Sequence, residues 1–143
     1  MKDAFGGILN LVFITLFLVI VSGILAMTVN YTKAFRMKNI VISAIEQYEG
    51  YGCFEDDGET ACLKKIEDGA KSIGYHPVGV NCSASDDYHS VSKFFCYKQG
   101  TSNGRKERYY TIVTQVDIDI PIVRDIMGLS IFQVHGDTRN LKD

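Results

Sequence analysis

The sequence has 143 residues, 46% of them hydrophobic, with 15 Lys and Arg set against 17 Asp and Glu. That length supports one small folded domain beside any membrane segment. The near-neutral balance argues against a nucleic-acid binder, which gathers a basic surplus on one face.

No acidic or basic residue occurs from Ala4 to Thr32, a stretch that contains the apolar run from Ile8 to Val21. At about 1.5 Å per residue, roughly 20 helical residues cross a hydrocarbon core about 30 Å thick. Residues 1–30 are therefore assigned to one transmembrane helix. A cleaved secretory signal fits less well, because its apolar part runs to only about 7–15 residues. Its best cut here, after Ala26, also has bulky Ile24 two residues before it. The polar outliers in the span are Asn10, Thr15, Ser22 and Thr28. Hydroxyls in lipid either bond across helices or bond back to their own helix. Ser22 and Ala26 form a small-xxx-small pair. The amide of Asn10 cannot be fully satisfied locally, so it is expected to face another helix. Asn10, Ser22 and Ala26 are the candidate helix–helix interface.

From Tyr31 to Glu49 there is no Pro or Gly, and Ala34, Met37, Val41, Ala44, Ile45 and Tyr48 recur at helical spacing. These residues predict an amphipathic stem over 31–49, continuous with the span and stopped by Gly50 and Gly52. Lys33, Arg36, Asn39, Ser43, Glu46 and Gln47 supply much of its polar face. The apolar stripe needs a cover, which the domain over 50–143 must supply.

Thr60 to Ile73 predicts a short helix with Leu63, Ile66, Ala70 and Ile73 on one face. Tyr75 to Asn81 is expected as a weak strand shortened by Pro77, and Val91 to Lys98 as a better one. Thr101-Ser102-Asn103-Gly104 is a hairpin signal. In Tyr109 to Ile120, residues Ile112, Thr114, Val116, Ile118 and Ile120 face one way. Gln115, Asp117 and Asp119 face the other, with Val113 as the exception, so a half-buried antiparallel strand is expected. After Pro121 comes a crossing segment over Ile122 to Met127, and then a last strand over Leu129 to Val134. The fold class is thus α+β. A long helix lies across a small antiparallel sheet of three to four strands, with a short extra helix and disulfides.

Cys53, Cys62, Cys82 and Cys96 are separated by eight, nineteen and thirteen residues. These spacings match no zinc pattern. An even cysteine set in a small domain implies disulfides and an oxidising compartment. Of the three pairings, Cys53–Cys62 with Cys82–Cys96 closes two short turn-rich loops and is the one expected. Lys33, Arg36 and Lys38 after the span would by themselves favour a cytoplasmic domain. The cysteines point the other way and carry more weight than three charges that also suit a stem at a lipid surface. The domain is expected outside the cytoplasm, on a single-pass protein of the cell membrane.

No enzyme, cofactor or metal centre is indicated. Glu55, Asp56, Asp57 and Glu59 lack the spacing of a calcium loop and read as a solvated turn. Asp117 and Asp119 share a strand face without a catalytic partner motif. His76, His89 and His135 show no ligand spacing, and the cysteines leave no spare thiol.

The order of elements resembles the type IV pilin-like proteins: a membrane helix running into an amphipathic stem, followed by a small disulfide-bearing sheet domain. It is closest to the TadE-like pseudopilins of tight-adherence pili. The part that most resembles them is Val116-Asp117-Ile118-Asp119-Ile120-Pro121-Ile122, followed by Leu129-Ser130-Ile131-Phe132-Gln133-Val134. The resemblance implies a structural subunit whose partners are the membrane, other pilin-like subunits (a homo-oligomer among the options) and pilus assembly-platform proteins. It also implies prepilin-peptidase cutting, for which Gly6 and Gly7 are the processing candidates. Counting five onward from either glycine reaches Leu11 or Val12, where major pilins carry Glu. A minor or initiating component is therefore the form expected. The alternative is a membrane-tethered module that binds an external ligand or partner.

Overall fold

The computed structural model of the protein describes residues 2–54, 60–76, 82, 87–101, 107–117 and 131–142. Its spine is α1 (Lys2–Gln47), 46 residues without a break, or about 69 Å at helical rise. Nothing inside this segment interrupts the backbone hydrogen bonds. Its end is set by Glu49, in the left-handed region at φ 50°, followed by Gly50 at φ 82°. The Gly50 N–H reaches back to the Ile45 carbonyl at 2.9 Å, closing the last turn with a Schellman-type bond. The stop expected at Gly50 therefore begins one residue earlier, on a glutamate.

The second helix, α2 (Ala61–Ser72), is capped by Thr60, whose hydroxyl accepts from the Leu63 N–H at 3.4 Å. It runs antiparallel to α1. Lys65 meets Gln47 near its start, and Lys33 donates to the Gly74 carbonyl beyond its end. Midway, a Cβ on Gly69 would lie 2.6 Å from Ile40 Cγ2. A glycine inside a helix costs about 1 kcal/mol against alanine, and here it allows the two helices to touch. The Cys53–Cys62 disulfide ties the turn after α1 to the first turn of α2.

The sheet contains β1 (His89–Ser92), β2 (Phe95–Thr101), β3 (Glu107–Asp117) and β4 (Ile131–Asp137), antiparallel and in that order. This is the small antiparallel sheet expected, and off its four-strand path a two-residue β5 (Leu141–Lys142) pairs with the start of β3. The single strand expected over Val91–Lys98 is in fact a hairpin. Ser92 faces Phe95 across a two-residue turn at Lys93-Phe94. Its hydroxyl holds that turn by accepting from the Phe94 N–H at 3.3 Å, a local bond that competes with a continuing strand. Tyr75 and His76 are not in a strand. The rest of the weak strand expected there lies outside the described residues, as do residues 102–106 and the crossing segment expected over Ile122 to Met127. Registers from Cys96↔Val113 to Thr101↔Arg108 show that β2 and β3 form the expected hairpin. The last strand runs on to Asp137, past the expected end at Val134.

The core lies between α1, α2 and one sheet face. Met37, Val41, Ala44 and Ile45 pack with Ile66, Phe95, Ile112, Tyr110, Val134 and Leu141. Each large side chain fully buried in this way contributes about 1.5–3 kcal/mol. Thr114 is wholly buried, and its hydroxyl donates to the Ala34 carbonyl at 3.2 Å, so the helix–sheet seam holds no stranded polar group there. At Gly136 a Cβ would stand 2.6 Å from Lys38 Cδ, so α1 crosses β4 where that strand is thinnest. Gln115, expected on the exposed face of β3, is buried, as are Val113 and its cross-strand neighbour Cys96. Cys96 is bonded to Cys82, so the second disulfide lies over this outer face. The side chains of Val116 and Asp117, and all of Asp119, lie outside what is described.

Candidate functional site

The same helix meets two environments. From Ala34 to Ile45 its apolar stripe is fully covered. From Gly6 onward its first half makes no cover with the rest of the chain, and Ile8, Phe13, Phe17 and Leu18 are each more than 60% exposed. This half is long and apolar enough to cross a membrane. A surface this apolar all round, none of it buried among the described residues, is what a membrane or a partner helix would cover.

The expected interface residues lie on this surface, but not on one stripe. Asn10, Ser22 and Ala26 are all exposed. At 3.6 residues per turn, Ser22 and Ala26 sit about 40° apart, with Thr15 beside them, whereas Asn10 projects about 120° away from Ser22. A single partner helix cannot touch both groups. The hydroxyls of Thr15, Ser22, Thr28 and Thr32 donate to carbonyls of their own helix, three or four residues back, at 2.8–2.9 Å. Their protons are therefore spent locally, and Ser22 offers a neighbour small size rather than a donor. Asn10 has an amide with two donors and an acceptor, a stronger polar group than the hydroxyls of Thr15, Ser22 and Thr28. Gly6 and Gly7 lie in the second turn of α1, and a Cβ on either would meet nothing within 4 Å. Packing within the chain does not account for them.

Where this half meets the domain, α1 and the end of α2 enclose an open hollow of about 230 Å³. It is lined by Thr28, Val29, Thr32, Lys33, Arg36 and Ile73. The sequence placed Lys33 and Arg36 on a generic polar face and did not bring Ile73 to them. Only the antiparallel return of α2 does so.

At the other end of the stem, Phe54 stacks between two strand residues, 4.2 Å from the Tyr110 ring and 4.3 Å from Tyr97. Together with Cys53–Cys62 this fixes the turn after α1 and leaves Tyr51 80% exposed beside it. Tyr75 is buried, and its phenol donates to the Gln115 carbonyl. Burial pushes its pKa above the usual 10.0. His76, His89 and His135 are exposed and separate. Among the described residues no three His, Cys, Asp or Glu gather as metal ligands. The acidic stretch Glu55–Glu59 lies outside them. All four cysteines are in the two disulfides expected.

No protein-family model, curated protein or solved structure matches this chain.

Proposed function

We propose that the chain is a structural, membrane-anchored pilin-like subunit of the TadE-like pseudopilin kind. It serves as a minor or initiating component of a type IV, Tad-like pilus or secretion filament, with its sheet domain outside the cytoplasm. The observation that carries this reading is the continuity of α1. One unbroken helix is both the bare apolar half and the spine of the folded domain. A neighbour gripping the first half therefore positions the second rigidly, as an assembly subunit requires and a flexible tether does not. The angular separation of Asn10 from Ser22 and Ala26 supports packing against more than one helix. Two disulfides support placement in an oxidising compartment.

Asn10→Leu tests the interface. Leucine suits the bilayer better, so insertion and the folded domain should survive. Crosslinking to neighbouring subunits or platform proteins in native membranes should fall several-fold, as expected for loss of about 0.5–2 kcal/mol of interhelical contact. Undiminished crosslinking would remove Asn10 from the interface.

A further inference from the structure

We infer that the hollow at the foot of the domain is a binding site for one anionic phospholipid, with its phosphate held by Lys33 and Arg36 and its acyl chain lying on Val29 and Ile73. The inference rests on α1 being a membrane span. It does not depend on the pilin reading.

Level, charge and shape agree on this occupant. Counting about 20 residues from Ile8, the length that crosses a hydrocarbon core, ends the lipid interior near Met27. The hollow begins at the next residue, Thr28, and extends to Arg36. It thus spans the depth at which acyl chains give way to headgroups. On the same side of α1 further along, α2 supplies the cover, with Gly69 against Ile40. α2 ends at Ser72, and its cap Ile73 lines the hollow together with Val29. Below that point the face of Thr28, Val29 and Thr32 continues without α2, at the height where a lipid chain would extend the same packing.

The lining carries two cations and no carboxylate. Among the described residues no carboxylate pairs with Lys33 or Arg36. Lys33 donates to the Gly74 carbonyl at 3.4 Å. That bond takes one of its three donors and leaves the others for a phosphate oxygen. Arg36 lies one turn on, exposed, with a guanidinium fork suited to a phosphodiester. Lys38 belongs elsewhere, its ammonium 4.1 Å above the Phe35 ring. The Thr28 and Thr32 hydroxyls have given their protons to the helix, which leaves the cations as the donors. The site also gives a role to the post-span charges that run against an outward-facing domain.

The test uses the full-length protein in detergent, with adducts counted by native mass spectrometry. It is titrated separately with phosphatidylglycerol, phosphatidylcholine and inorganic phosphate, and in parallel it is reconstituted into vesicles. Phosphatidylglycerol should be retained in preference to phosphatidylcholine, and inorganic phosphate should not bind at the same concentration. Arg36→Gln and Lys33→Gln should each lower retention about fivefold. Lys64→Gln, an equal loss of charge on exposed α2, should leave it unchanged. Arg36→Gln guards against misfolding, since its side chain lies outside the packed core. Equal retention of both lipids, equal loss in Lys64→Gln, or full retention in Arg36→Gln would overturn the site. Phosphate binding as tight as lipid would overturn the lipid as its occupant. Failure to enter vesicles would instead overturn the membrane reading, and the site with it.

Discussion

The two halves of α1 are built from the same backbone and differ only in what their side chains must face. In the stem, one apolar stripe is buried, with Met37, Val41 and Ile45 sealed against the rest of the core, while Tyr31 and Phe35 on other faces stay exposed. In the first half, apolar residues occur all round, and among the described residues none of them is buried. Periodicity thus records a boundary between two media, and its absence records a single one. The stem is stabilised by its own domain, whereas the first half requires a solvent or a partner that the chain does not contain.

Matched charge insertions give the largest expected effect and the sharpest contrast. Val41→Asp or Ile45→Asp places an unpaired carboxylate at a fully buried position, at a cost of several kcal/mol. Limited proteolysis should show the sheet domain digested. Leu18→Asp, near the middle of the bare half, should leave the domain protease-resistant but impair membrane insertion by about 2.5–3.5 kcal/mol. Equal behaviour of the two kinds of variant would erase the distinction between the halves.

A smaller effect tests how the stem's polar face is used. Glu46 reads in sequence as solvent-facing, yet its carboxylate accepts from the Arg139 N–H at 2.8 Å, and its carbonyl accepts from the Arg139 guanidinium. Glu46→Lys should therefore cost about 1 kcal/mol in a denaturant titration of the domain. Ser43→Lys, on the exposed side, should cost nothing measurable. If the two midpoints coincide, the tether to Arg139 does not stabilise the domain.

An effect of similar size carries a pH signature in alkali. Burial raises the Tyr75 pKa above 10.0, so above that pH the unfolded chain gives up this proton more readily than the folded one. Stability is then intact below about pH 10 and declines as pH rises toward the folded value. Tyr75→Phe should lose about 1 kcal/mol at neutral pH, for the bond to Gln115, and flatten that alkaline decline. An unchanged alkaline slope would assign it to other groups.

What the sequence revealed follows the same division. Strong periodicity and absolute lack of charge are one-dimensional signals, and they located α1, its buried stripe, α2 and the alternating strand β3. Of three possible cysteine pairings, the sequential one that closes two short turn-rich loops is the one present. The misses came from contacts between distant segments. The break at Lys93-Phe94 depends on a serine hydroxyl bonding two residues on, which apolar patterning does not register. Burial of Gln115 and Val113 needed a cover that only the fold places over that face. The Lys33–Arg36–Ile73 hollow and the Glu46–Arg139 tether join residues about forty and ninety positions apart. No local pattern encodes them.

The central claim is that the bare half of α1 is a working interface and more than an anchor. Replacing residues 6–30 with an unrelated apolar helix of equal length tests it directly, with crosslinking to neighbouring subunits and assembly of the filament system read in the native host. The account predicts normal insertion, an intact sheet domain and loss of both crosslinking and assembly. Full assembly with the foreign helix would contradict it and leave a tethered binding module as the better description of this chain.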